Sequence, residues 1–212
     1  MTDLTVTKPT AADEQPTSIP ASIRGDFPLR GNGFSRWVGR VGLRLLGGWQ
    51  VIGDLPQVRK GIFPVAPHTS NWDFFIGVFG MLALGLNLSY LGKHTIFRFP
   101  VNGMLRWLGG IPVDRRAAHG VVGEMVEQFQ QREHLILALS PEGTRTKVTE
   151  WKKGFLHMAK AAQVPVIPVA LDFSRKVIEI TPAYMVTGDI DSELAKVKAK
   201  LAHAVGKNPQ HA

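Results

Sequence analysis

The run Gly61-Ile62-Phe63-Pro64-Val65-Ala66-Pro67-His68-Thr69-Ser70-Asn71-Trp72-Asp73 decides how the chain is read. Its first six residues are continuously apolar, the pattern of a buried strand. From Asn71 the pattern becomes that of a helix start. Thr69, Ser70 and Asn71 each carry an acceptor for the orphan N–H groups of a first turn, and Asp73 suits the positive end of a helix dipole. His68 therefore falls in a strand-to-helix turn, with Asp73 five positions on and able to fold back on it. A carboxylate on one imidazole nitrogen fixes the tautomer and stabilises the imidazolium, freeing the other nitrogen to take a proton from an attacking hydroxyl. Taken alone, the same residues also fit a surface turn with a capping acid, so the remaining sequence has to decide.

Outward from this junction, short apolar runs alternate with helical stretches. Strands are expected at 49–52, 61–66, 88–91, 111–113, 135–139, 166–171 and 177–180, and helices at 71–84, 101–108, 119–131, 154–163 and 192–205. The alternation predicts an α/β fold: a single domain with a mainly parallel central sheet of about seven strands flanked by helices, preceded by an N-terminal amphipathic helix. Such sheets place their sites at the carboxyl ends of strands, where His68 falls. Residues 74–92 carry no charge, but Gly77, Gly80, Gly85, Asn87 and Ser89 interrupt the run. A buried helix to about Leu84 and a strand from Leu88 fit it better than a membrane span.

Three segments are expected: a disordered polar tail over 1–30, a basic amphipathic helix within 31–48, and a catalytic domain over 49–212. In the helix, Phe34, Trp37, Val38, Val41 and Leu45 share one face, and Arg36, Arg40 and Arg44 line another. Two readings stay open. The helix lies in the headgroup region of an anionic membrane, or it packs its apolar face on the domain and solvates its arginines. Gly39 and Gly42 weaken it as an isolated helix.

With 25 Lys and Arg against 17 Asp and Glu, the net charge of +8 favours an anionic partner: nucleic acid, an acidic lipid surface or a phosphorylated substrate. The absence of cysteine excludes disulfides, a thiolate nucleophile and cysteine-ligated metal. The histidines have no H-x-x-x-H or H-x-H spacing, so a metal-dependent hydrolase is the weaker reading and no metal is expected. No nucleic-acid reader motif is present, which disfavours a non-enzymatic basic binding protein and a nucleic-acid partner. The first 20 residues lack an apolar signal region, so the expected location is cytoplasmic, peripherally on the inner face of the membrane.

Asp114, Arg115 and Arg116 follow the strand at 111–113, and Ser140-Pro141-Glu142-Gly143-Thr144-Arg145 follows the strand at 135–139. If the strands are parallel, these loops share a rim with His68. That rim would combine a base, arginines, a hydroxyl and a glycine that lets backbone approach a ligand, which describes a phosphate-ester pocket.

The block from His68 to Asp73 resembles the H-x4-D block of the glycerolipid acyltransferases, the family of 1-acyl-glycerol-3-phosphate acyltransferases. Gly109-Gly110-Ile111-Pro112-Val113-Asp114-Arg115 resembles the second block of that family, Pro141 to Arg145 the third, and Val164-Pro165-Val166-Ile167-Pro168-Val169-Ala170 the fourth, in family order. Lys93 with Phe97 and Pro100 resembles the segment between the first two blocks, and the likeness covers roughly residues 49–185. The resemblance implies His68 as general base and Asp73 as its orienting partner. It also implies Arg115, Glu142, Gly143, Thr144 and Arg145 as the holders of a phosphate-bearing acceptor, and Lys93 as a group near the reacting centre. The implied reaction moves a fatty acyl group from acyl-CoA or acyl carrier protein (ACP) to the hydroxyl of a lysophosphatidic acid-like acceptor, with no cofactor beyond the donor substrate. The implied partners are that donor, a lysolipid and an anionic membrane surface; oligomeric state is not readable.

Two departures from the family pattern matter. Ser140 stands where the third block often carries an aromatic residue, which keeps other lysophospholipids and lyso-ornithine lipids open as acceptors. No long hydrophobic anchor precedes the first block, which turns attention to the helix around Trp37 as the route to a membrane-resident substrate.

Overall fold

A computed structural model of the chain describes residues 19–113 and 120–211, with Lys93 and His211 described by backbone alone. The apolar runs form β1 (Gln50–Ile52), β2 (Lys60–Ala66), β3 (Leu88–Lys93), β4 (Gly110–Val113), β5 (Leu135–Leu139), β6 (Val169–Asp172) and β7 (Val177–Ile180). They make one sheet in the order β1-β7-β6-β2-β5-β3-β4, parallel throughout except for the β6–β7 hairpin.

The central strands are buried on both faces, so their side chains alternate between two cores. Ile62 and Ala66 of β2, with Leu135 and Leu137 of β5, pack on the side of α4 (Gly120–Gln131), α5 (Gly154–Ala162) and α6 (Ile190–Leu201). Phe63, Val65 and Ile136 point the other way, toward α2 (Trp72–Leu84). α1 (Gly33–Leu45) lies against α2, and α3 (Asn102–Trp107) leads into β4. The uncharged residues 74–92 are a helix followed by a strand, as expected, but the helix is only partly buried: Ile76, Gly80, Met81 and Ala83 face inward while Phe74 and Phe75 are exposed. No helix among the described residues is long and apolar enough to cross a membrane.

Four other expectations need correction. The polar tail ends earlier than 30: Ile19, Ile23 and Phe27 are buried, and the Phe27 and Phe63 rings stand 5.8 Å apart. Their spacing of four is hidden by the intervening Pro20, Arg24 and Gly25; residues 1–18 lie outside the described residues. The strand at 166–171 is shorter, because Pro165 and Pro168 have no N–H for the ladder. Val166 still bridges to Ile62 and Tyr184.

The helix at 192–205 starts two residues earlier and stops at Leu201. Asp189 caps its first turn by accepting from the N–H groups of Asp191 and Ser192. Finally, α1 does pack on the domain, but by the opposite face from the one expected. Cβ atoms at Gly39 and Gly42 would lie 2.2 Å from Ala83 N and 2.4 Å from the Phe79 ring, so Gly39 lets the α1 backbone meet that of α2 and Gly42 makes room for the Phe79 side chain. Phe34 (70 % exposed), Trp37 (55 %) and Leu45 (81 %) are left facing outward.

Candidate active site

β2 ends at Ala66, and residues 67–71 turn the chain into α2 at the carboxyl rim of the sheet. His68 Nδ1 stands 3.0 Å from Asp73 Oδ2, and the Asp73 side chain is 1 % exposed. The same oxygen accepts the Ser70 N–H at 2.8 Å. Nδ1 is thereby committed to the carboxylate, and Nε2 is the nitrogen left for proton transfer.

Of the three expected helix-start acceptors, Ser70 alone serves α2, its Oγ accepting the Trp72 N–H at 3.1 Å. Asn71 Oδ1 accepts from Arg145 Nη1, and Thr69 Oγ1 accepts the Asn208 N–H at 3.2 Å. The N–H groups of Ser70 and Trp72 are therefore occupied and are not free oxyanion donors.

The parallel pairing of β2 with β5, in which Pro64 stands opposite Leu139, carries the loop after β5 alongside the His68 turn. There the His68 N–H donates to Glu142 Oε2 at 2.8 Å. Glu142 is buried, and this desolvation pushes its carboxyl above the usual range, only partly offset by the bond from His68. Gly143 holds a φ of 69°, a left-handed turn that a side chain would strain. The Lys152 N–H donates to Pro141 O at 2.8 Å and closes the loop. Thr144 and Arg145 are exposed, with the hydroxyls of Thr144 and Thr146 3.1 Å apart.

A cavity of about 1410 Å³ opens at this rim, larger than most small-molecule sites. His68, Asp73, Ser140, Thr144 and Arg145 line its polar part. Phe63, Val65, Val78, Met81, Leu84 and Ile178 carry it between α2 and the sheet, along a helix of 13 residues. That helix is about 20 Å long. Val121, Val122, Phe155 and Met158 line it on the opposite side of the sheet.

The structure thus brings together His68, Asp73, Glu142, Gly143, Thr144 and Arg145. Lys93 ends β3 opposite Val113 on the same rim, although its side chain lies outside the described residues, as does all of Arg115. Among the described residues, no three His, Asp or Glu side chains group as metal ligands.

Residues 50–172 match the family described as Acyltransferase. The chain belongs to that family. The acyltransferase segment holds all four blocks, together with β1 to β6. It is 35 % identical over 123 residues to the 1-acyl-sn-glycerol-3-phosphate acyltransferase of Escherichia coli K12, covering 55 % of this chain and 49 % of that protein. The corresponding protein of Salmonella typhimurium is 35 % identical over 114 residues, 50 % of this chain and 45 % of the relative. The chain spans about half the length of these curated relatives. Its fold is similar to that of the 1-acyl-sn-glycerophosphate acyltransferase PlsC from Thermotoga maritima, with a TM-score of 0.59 at 21 % identity, covering 82 % of this chain and 80 % of the other.

Sequence reasoning missed residues 206–208, which pack on the His68 turn of the candidate site. No motif marks them. Trp151 is partly buried against the α4–α6 core, with Lys198 Nζ 5.6 Å from the centre of its ring.

Proposed function

We propose that this chain transfers a fatty acyl group from acyl-CoA or acyl-ACP to the free hydroxyl of a lysophosphatidic acid-like acceptor, giving phosphatidic acid, with His68 as general base. The observation that carries this reading is the His68–Asp73 pair, 3.0 Å apart, at the polar end of a long apolar cavity. His68 Nε2 takes the acceptor hydroxyl proton as that oxygen attacks the thioester carbonyl carbon. Asp73 stabilises the imidazolium that forms. Collapse of the tetrahedral intermediate breaks the carbon–sulfur bond, and the thiolate leaves with the proton returned from His68. No acyl-enzyme and no cofactor is required.

Arg145 and Thr144 are suited to the acceptor phosphate, as exposed donors beside the histidine on the cavity wall. Arg115 is assigned to the same anionic region, and Lys93 to the neighbourhood of the reacting centre, on their family positions. Glu142 is assigned a different role from the one first implied. A buried carboxylate bonded to the His68 N–H positions the turn and would repel a phosphate. The apolar wall between α2 and the sheet suits the acyl chain.

Access to a lipid substrate is assigned to a membrane-facing surface. Phe34 and Trp37 stack 5.9 Å apart on the outer face of α1, beside exposed Arg40 and Arg44. Phe99 (95 % exposed), Met104 and Trp107 around α3 add apolar surface, with the Arg30 guanidinium 5.5 Å from the Trp107 ring. This combination supports peripheral attachment to the inner face of an anionic membrane.

The test is acyl transfer by the purified chain from labelled palmitoyl-CoA, or the ACP thioester, to a panel of lysolipids, with His68→Ala alongside. Phosphatidic acid formed by the wild type alone is the expected result. Product from another lysolipid would keep the mechanism and move the acceptor; no product from any pairing would overturn the reading.

A further inference from the structure

Beyond α6 the chain doubles back over residues 202–208 and runs across the rim of the sheet that holds His68. This strap is fixed at two places. At the β6–β7 hairpin, the Phe173 N–H donates to Val205 O at 2.8 Å and the Val205 N–H to Asp172 Oδ1 at 3.4 Å. At the His68 turn, the Asn208 N–H donates to Thr69 Oγ1 at 3.2 Å and Asn208 Nδ2 donates to Thr69 O at 3.0 Å.

Between these points Gly206 is buried flat against the turn. A Cβ there would stand 2.7 Å from Thr69 Oγ1 and 2.8 Å from Thr69 Cγ2. Lys207 Nζ lies 4.3 Å from the centre of the Trp72 ring, so the strap touches both ends of the turn.

The bond to Thr69 O matters for a stereochemical reason. Thr69 C=O and Ser70 N–H belong to one planar peptide unit. Its N–H side holds Asp73 Oδ2, the oxygen that meets His68 Nδ1, and its carbonyl side is held by Asn208. Rotation of that peptide would move the Asp73 carboxylate off the imidazole. We propose that Asn208 is a positioning residue for the His68–Asp73 pair, acting through the Thr69–Ser70 peptide, with Gly206 giving the strap its close approach. This deepens the acyl-transfer reading and rests on it for the kinetic effect alone.

The experiment uses the full chain with Asn208→Ala, Asn208→Asp and Gly206→Ala. The first loses the donor, the second keeps the shape but sets an acceptor against the Thr69 carbonyl, and the third adds bulk where none fits. Each is assayed for transfer from palmitoyl-CoA to lysophosphatidic acid. Each is also examined by proton NMR for the low-field resonance of the His68 Nδ1–H in its bond to Asp73, assigned by its loss in His68→Ala. Displacement of the pair should lower kcat between about tenfold and a hundredfold with KM unchanged, and should shift or remove the resonance. Asn208→Asp should be no better than Asn208→Ala.

Any one variant that keeps the wild-type melting temperature decides the question. An unchanged resonance and unchanged kcat in a folded variant would overturn the inference. If the wild type transfers no acyl group to any acceptor, the proposed function falls, and the resonance alone decides whether Asn208 holds the pair.

Discussion

The Glu142 carboxylate accepts a 2.8 Å hydrogen bond from the backbone N–H of His68, across 74 residues of sequence. Glu142→Ala strands that buried donor, a loss of about 1–3 kcal/mol, and loosens the turn that carries the base. Glu142→Gln keeps the acceptor and removes the buried charge. Burial raises the Glu142 carboxyl above its unfolded value, so the folded state holds the proton more tightly. The resulting stability is present below the unfolded value of about 4.3 and is lost as pH rises through the folded one. Melting temperatures of the wild type should therefore fall relative to Glu142→Gln as pH rises through that window, and transfer activity should fall further in Glu142→Ala than in Glu142→Gln.

Asp73→Asn preserves the shape of the side chain but removes the charge that stabilises the His68 imidazolium. The expected outcome is a kcat lower by about a hundredfold or more with little change in KM for the lysolipid, approaching the loss in His68→Ala. Single-turnover rates from labelled palmitoyl-CoA are the measurement. A small effect would show that the pair is not the general-base unit.

Most of the strand positions and the central site could be read from local pattern. The apolar run before His68, the acceptors after it and the parallel-sheet alternation all follow from short stretches of sequence. What could not be read depends on distant contacts. Gly39 and Gly42 look like weak points in an isolated amphipathic helix, yet their missing side chains let α1 seat on α2 and turn Phe34, Trp37 and Leu45 outward. Asn208 was equally illegible, because its value comes from meeting Thr69 across 139 residues.

The outward face of α1 gives a separable test. Replacing Phe34, Trp37 and Leu45 together by Glu should abolish co-sedimentation with phosphatidylglycerol-containing vesicles. Because these side chains are exposed, the cost in stability should stay within about 0.5 kcal/mol per site. Gly39→Val does the reverse. Its side chain meets Ala83 N and the Leu82 backbone, and the unfolding free energy should fall by about 1–3 kcal/mol. Chemical denaturation and vesicle sedimentation of both variants distinguish docking from packing.

Asp172 anchors the β6–β7 hairpin and the strap together. Burial opposes its ionisation, but bonds from Arg175 Nε at 2.6 Å and from the Ser174 hydroxyl and N–H outweigh it and hold the carboxyl far below the usual range. The stability this confers is present above the unfolded value of about 3.9 and is lost as pH falls through the folded one. Asp172→Asn should cost about 2 kcal/mol at neutral pH, and the gap should narrow on acidification below pH 4. Urea unfolding at several pH values measures it.

Gly77 lies on α2 at the wall of the cavity, and a Cβ built there meets nothing within 4 Å. Gly77→Leu therefore fits without strain on the backbone and also favours the helix. Its side chain would project from that wall toward space assigned to the acyl chain. Each methylene excluded from the cavity forfeits about 0.8 kcal/mol, close to a fourfold loss in kcat/KM. Transfer of palmitoyl should fall steeply in this variant while transfer of octanoyl from octanoyl-CoA stays near the wild-type rate, shifting the preference toward short chains. Equal losses for both donors would place the acyl chain elsewhere, and the region lined by Val121, Val122, Phe155 and Met158 would then be the one to fill.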